Sequence, residues 1–99
     1  SGLTYGDLYL ENEKQMSFFN FKLASKNHLY NSFKYHEESA QTLIENKLPI
    51  PAYEQCIKAS HSFNLLDSRG LVSVSERQAY ILRIRSLVQS CCKLVKKNV

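Results

Sequence analysis

The chain predicts an all-α fold, a compact bundle of about four helices in one domain spanning residues 1–99. Three observations carry that prediction. Apolar residues recur at three- and four-residue steps along most of the sequence, the spacing of one helix face. Caps and prolines punctuate it where helices would start and stop. No segment reads as a strand.

The first helix is expected over about 6–23, with Thr4 as N-cap and Asp7 and Glu11 near its positive end. Leu8, Asn12, Gln15, Met16, Phe19 and Leu23 give only a fair stripe, and Phe18, Phe19 and Phe21 spread aromatics around most of the circumference. Such a helix needs more than one neighbour to cover it. Either it is wrapped centrally within the bundle, or its partner lies outside the chain.

The second helix is expected over about 26–47, after Ser25. Leu29, Phe33, His36, Ala40, Leu43 and Ile44 form its inner stripe, and Lys34 and Glu38 an exposed pair. Leu48-Pro49-Ile50-Pro51 then breaks the helix, because residues before prolines leave the helical region. Pro51 suits the first turn of a third helix over 51–68 with Tyr53, Cys56, Ile57, Ser60, Phe63 and Leu66 facing inward. The fourth, over 74–96, shows a seam of Ile81, Ile84, Leu87/Val88, Cys91 and Leu94/Val95. Tyr80 reads as the edge of that seam, and Lys93, Lys96 and Lys97 sit near the negative end of the dipole.

Between the last two helices the sequence spells a joint. Gly70 can take the left-handed conformation that closes a helix. Ser73-x-x-Glu76 is a capping box for the next. Asp67 lies close to Arg69 and, across the joint, to Arg77. Asp67, Arg69, Gly70, Ser73 and Glu76 therefore form a candidate structural joint, with a partner contact as the other reading of Asp67.

Charge is unevenly spread around a net +4. From Arg69 onward seven Lys/Arg face a single acid, Glu76, whereas the first 68 residues hold six Lys and eight acids. Arg77, Arg83, Arg85 and Lys93 are the candidates for touching a polyanion or an acidic protein surface, a solvated helix face being the alternative. The geometry limits them: Arg83 and Arg85 point about 200° apart on a helix.

No catalytic constellation appears. Only three glycines are present, so no phosphate loop can form, and His36-Glu37-Glu38 lacks the second histidine of a zinc helix. His28, His36, His61 and Cys56 are scattered, and no metal site is expected. Cys56 and His61 would diverge by about 140° on one helix, which rules out a nucleophile–base pair. Glu37/Glu38 and Glu11/Glu13 read as solvated charge. Cys56, Cys91 and Cys92 have no C-x-x-C spacing, so a reducing compartment, the cytoplasm, is expected. No secretory signal and no membrane span are expected either.

Longer strings carry a resemblance. Asn64-Leu65-Leu66-Asp67-Ser68-Arg69-Gly70, Ser73-Val74-Ser75-Glu76-Arg77 and Tyr80-Ile81-Leu82-Arg83-Ile84-Arg85 are the main ones. Thr4-Tyr5-Gly6-Asp7 with Asn12-Glu13, Leu48-Pro49-Ile50-Pro51-Ala52-Tyr53 and Lys58-Ala59-Ser60-His61-Ser62-Phe63 accompany them in order. Together they resemble the C-terminal region of the alpha subunit of the bacterial tetrameric glycyl-tRNA synthetase, a class II enzyme. Ser68 and Ser75 stand where Ala and Thr are more usual.

The resemblance implies a parent enzyme that joins glycine to tRNA-Gly with ATP and Mg²⁺. It implies a class II catalytic core upstream, and a beta subunit or region supplying most tRNA recognition. No G-x-x-R motif of that class occurs, so no catalytic or cofactor-binding residue carries over. The chain alone is then an inactive accessory helical domain, its partners being the catalytic core, the beta subunit and, as a further candidate, tRNA-Gly. A reading of another class is a stand-alone basic helical module for nucleic acid. Against it, the Arg69–Ser73 joint is long for a helix-turn-helix, and Glu76 sits where base contacts would begin.

Overall fold

The computed structural model describes residues 4–97. It holds α1 (Tyr5–Phe18), a π-helical turn (Phe19–Leu23), α2 (Lys26–Glu45), α3 (Pro49–Ser68) and α4 (Val74–Lys97), with no strand among the described residues. The expected four-helix, all-α class is the observed one.

Each helix begins on a chemical signal. Thr4 caps α1 in a reciprocal box: the Asp7 amide donates to its hydroxyl at 3.1 Å, and the Thr4 amide donates to Asp7 at 3.2 Å. The Ser25 hydroxyl accepts the His28 amide at 3.1 Å and starts α2. Helix α3 starts two residues earlier than expected, with Pro49 as its first residue and Pro51 third. Both prolines fit because the first-turn amides have no helical partner in any case.

Two helix ends close in the same way. After α3, Gly70 adopts φ +67°, its amide donates to Asp67 O at 3.0 Å, and the Leu71 amide donates to Leu66 O at 3.0 Å. That paired-bond pattern is the Schellman closure. It recurs after α2, where the Lys47 amide bonds Ile44 O at 3.0 Å and the Leu48 amide bonds Leu43 O at 2.9 Å. There the left-handed residue is Lys47, φ 59°, not a glycine.

Helix α3 packs on both α2 and α4, and those two helices also touch directly. On its upper half, Phe33 of α2 and Phe63 of α3 close around Tyr80 of α4, with Leu29 and Leu66 beside them. Tyr80 stands edge-on to Phe33 at 4.8 Å and stacks on Phe63 at 5.3 Å, arrangements that aromatic quadrupoles favour. On the lower half, Ala40, Ala52, Cys56, Leu87 and Cys91 form a second cluster. Alanines 40, 52 and 59 are fully buried and let the backbones of α2 and α3 approach closely. A Ser32–Ser62 hydroxyl contact (3.1 Å) and a His36 Nδ1–Gln55 Oε1 bond (2.7 Å) pin that interface.

Packing on two sides changes which residues of α3 are inside. The buried set is Ala52, Cys56, Ala59, Ser62, Phe63, Leu65 and Leu66. Of the expected stripe, Cys56, Phe63 and Leu66 are inside, whereas Tyr53 and Ile57 are exposed and Ser60 half-buried. On α4 the inner line is Tyr80, Leu87 and Cys91, with Ile84 packed against it; Ile81 and Val95 face out. Tyr80 is therefore core, not edge.

The first helix differs most from expectation. It ends at Phe18, and one wider turn follows, closed by the Ala24 amide donating to Phe19 O at 2.7 Å. That i→i+5 turn brings Phe19 onto the core and buries Ala24, while α1 itself buries no residue. Tyr5, Leu8, Leu10, Met16 and Phe18 all face solvent. Of the expected aromatic girdle, the side chain of Phe21 lies outside the described residues. The central, wrapped position for helix one is not what is found. The radius of gyration, 16.6 Å with extents of 56 × 34 × 16 Å, exceeds the ~13 Å of a compact 100-residue domain for this reason.

Two substitutions separate the packed unit from the projecting helix. Leu66→Ala should cost about 3 kcal/mol by urea unfolding, because it opens a cavity in a closed cluster. Leu8→Ser should change stability by less than about 0.5 kcal/mol, since that side chain is 58% exposed among the described residues.

Candidate functional site

The α3–α4 joint is built from the residues that the sequence places there. Ser73 and Glu76 cap α4 reciprocally: the Glu76 amide donates to Ser73 Oγ at 3.2 Å, and the Ser73 amide to Glu76 Oε1 at 3.0 Å. Those bonds, and the charge of Lys26 3.9 Å away, hold the Glu76 carboxyl below its ordinary range. Arg77 Nε donates to Asp67 Oδ1 at 2.8 Å and ties the start of α4 to the end of α3. Arg69, through Nη1, donates to the Ala24 carbonyl. The end of α3 is thereby fastened to the link between the π-helical turn and α2.

Arg83 occupies an inner position. Its Nε and Nη2 donate to the two Glu37 oxygens at 2.8 and 2.7 Å, a bidentate fork. The guanidinium also lies 4.9 Å from the Phe33 ring centre and 5.5 Å from that of Tyr80. Arg83 hydrogen bonding lowers the Glu37 carboxyl pKa against the opposing effect of burial, and Lys34 at 3.7 Å adds to the lowering. The same pair raises Arg83, and burial raises the Tyr80 hydroxyl. Glu37 is thus not the solvated charge read from the sequence; its side chain is 9% exposed. The signal was present in the spacing: Glu37 follows Phe33 by four residues and precedes Ala40 by three, on the buried stripe.

The four candidate contact residues therefore part ways. Arg83 is committed to α2, and Arg77 to Asp67 while remaining half-exposed. Arg85 and Lys93 are exposed and make no ion pair among the described residues.

No group of three His, Cys, Asp or Glu side chains among the described residues could hold a metal ion. Cys56 and Cys91 are buried together, and burial first, then its neighbour, pushes the Cys56 thiol well above the ordinary range. A thiol so placed is a poor nucleophile. His61 is exposed and Cys56 buried, so the two do not act together. No described helix is long and apolar enough to cross a membrane.

What these residues define is an all-α module in which three ion pairs, Lys26–Glu76, Asp67–Arg77 and Glu37–Arg83, join one helix to another. The family model described as glycyl-tRNA synthetase alpha subunit matches residues 1–99. A curated relative, the glycine–tRNA ligase, chloroplastic/mitochondrial 2, of Arabidopsis thaliana, is 50% identical over 93 residues, 94% of this chain. The chain belongs to the glycyl-tRNA synthetase alpha subunit family. It spans 9% of the length of that relative.

The inner ion pair makes a directional prediction. Arg83→Met should cost about 3 kcal/mol, because it strands a buried carboxylate. Glu37→Gln should cost less, about 1–2 kcal/mol, since the more exposed guanidinium can turn to water. The Glu37→Leu/Arg83→Met double variant should recover most of the loss. Because Glu37 is held below 4.5, its stabilisation is complete above that pH and drains away as pH falls through the lower native value. Urea titrations across the acid range should show that slope in the native chain and a shallower one in Glu37→Gln.

The joint makes another. Gly70→Ala meets no neighbouring atom within 4 Å but must hold φ +67°, so it should lose about 1 kcal/mol through backbone strain alone. Lys47→Gly, at the equivalent turn, should be neutral or gain up to about 1 kcal/mol.

Proposed function

We propose that this chain is the C-terminal helical domain of a glycine–tRNA ligase alpha subunit of the bacterial tetrameric type, working in the cytoplasm. In this reading residues 1–99 form one accessory domain with a structural, subunit-joining role. The parent attaches glycine to tRNA-Gly, using ATP with Mg²⁺ at a class II core elsewhere in the same subunit. The described residues hold no cluster that fits a metal, and no step of that chemistry is assigned to them.

One observation carries the domain reading: a chain matched to the family along its whole length leaves an entire helix without cover. Leu8, Leu10 and Phe18 of α1 are each more than half exposed, at 58%, 60% and 57%. A lone fourteen-residue helix is marginal in water, so a further surface is needed to hold it. We assign that surface to the catalytic core of the same subunit. Helices α3 and α4 then face the beta subunit or region, with tRNA-Gly as a further candidate along Arg85 and Lys93. The alternative, a stand-alone nucleic-acid module, loses Arg77 and Arg83 to carboxylates of the chain itself.

ATP–pyrophosphate exchange with glycine tests the assignment. These 99 residues alone should give no glycine-dependent exchange, and the full alpha subunit joined by its beta subunit should give robust exchange. Exchange by the chain unaided would overturn the reading.

A further inference from the structure

Exposed and half-exposed residues of α3 and α4 converge on one face. On α3, Ile50, Tyr53, Ile57, Ser60 and Asn64 recur at three- and four-residue steps and mark one edge of a depression. On α4, Ile81, Val88 and Val95 supply the facing edge. Two hollows of about 640 and 360 Å³ lie end to end between these helices. Ile57 of one is a turn from Ser60 of the other, and Cys91 and Cys92 follow Val88 and Gln89 along α4. From residue 50 to residue 64 the groove runs about 21 Å at a helix's rise, which matches a partner helix of about four turns.

Its rims differ in charge. The α4 rim carries Arg85 at one end and Lys96 at the other, neither in an ion pair among the described residues. The α3 rim carries Glu54. An apolar floor between unlike rims suits a helix with one greasy face and acids along a single flank, laid on the α4 side. Phosphates would find little here: the floor is apolar, and the two rim cations stand eleven residues apart on α4.

We propose that this α3–α4 groove is the docking site for an acid-flanked amphipathic helix of the synthetase's beta region. The partner's identity rests on the function proposed above; the chemistry of the occupant rests on the groove. A second copy of the chain fits less well. Its α1 has the right length and exposed apolar residues, but Asp7 and Glu11 lie on one flank and Glu13 on the other. Asp7 and Glu11, four residues or about 6 Å apart along the helix, cannot span Arg85 and Lys96, which stand eleven residues or about 16 Å apart, and Glu13 would face the Glu54 rim, like charge on like charge.

The groove contains its own reporter. Cys92 is exposed there, whereas Cys56 and Cys91 are buried, so Cys92 alone should exchange rapidly with an aromatic disulfide. The probe is a fifteen-residue helical peptide with leucines on one face and glutamates along one flank, set against a twin carrying lysines instead. The glutamate peptide should bind by fluorescence anisotropy and slow Cys92 exchange at least tenfold. Arg85→Glu/Lys96→Glu should weaken it about tenfold, two rim pairs' worth, and shift preference toward the lysine twin. Ile57→Glu, a change at a side chain already 53% exposed, should abolish binding with the helical circular-dichroism signal intact.

Equal binding of both twins, or a Cys92 left reactive in the bound state, overturns the proposal. So does a chain that sediments as a dimer with Cys92 protected, or tRNA that protects Cys92 where the peptide does not. Capture of the beta subunit by the native chain is measured separately. Capture lost in Ile57→Glu supports the docking site; capture unchanged in that variant overturns it and leaves the proposed function standing. No capture by the native chain sinks the proposed function and the partner named here, while the peptide result still judges the groove.

Discussion

The bidentate pair between Glu37 and Arg83 is the constraint on which the arrangement of α2, α3 and α4 turns. A carboxylate taken out of water must be compensated, and here one guanidinium compensates it with two parallel hydrogen bonds. The guanidinium in turn sits against the Phe33 and Tyr80 rings, which ties the polar contact to the aromatic cluster. Because the partners are on α2 and α4, which meet directly alongside α3, the pair holds the rotation of α4 about its axis. Once Arg83 faces α2, Arg85 two residues on must face away, and Ile81, Val88 and Lys96 fall along the outer edge of α3. The groove on that side follows from the ion pair on the other.

The joints work toward the same end at lower cost. Gly70, the Ser73–Glu76 box and the Asp67–Arg77 pair act within a few residues of one another, so the angle between α3 and α4 is settled locally. Arg69 extends that settlement to Ala24. What the chain does not settle is α1. The π-helical turn seats Phe19 and Ala24 on the core and leaves the preceding fourteen-residue helix beyond reach of any apolar surface of its own. A helix with leucine, methionine and phenylalanine in water is the mark of a surface meant to be covered. The core of the same subunit is the cover proposed for α1, and the groove on α3–α4 is a second such surface at the opposite side of the charge balance.

Much of the fold was legible because it is written in local signals. Thr4 and Ser25 caps, the Pro49/Pro51 break, Gly70 and the Ser73–Glu76 box each depend on residues within four positions of one another. The same is true of the helical periodicity of α2 and α4. The errors have a common cause. Periodicity identifies a single apolar face, whereas α3 packs on two sides with alanines and serines doing the contacting. Tyr53 and Ile57 were therefore read as core although Ala52 and Ala59 hold that place. Lys47 in a left-handed turn gave no sign in the sequence, since glycine is the usual marker of that geometry.

By itself, then, the sequence determined the number of helices, the caps that start them and the family, because hydrogen-bond closure at capped helix starts and long ordered strings are local and additive. Only the tertiary structure decided which charges are inside. Arg83 and Glu37 are 46 residues apart, and nothing in either neighbourhood announces the other. Whether an arginine faces a partner protein or a buried carboxylate depends on how one helix is rotated against two more, and here that rotation is held by the Glu37–Arg83 pair together with the packing of Phe33, Phe63 and Tyr80 around it.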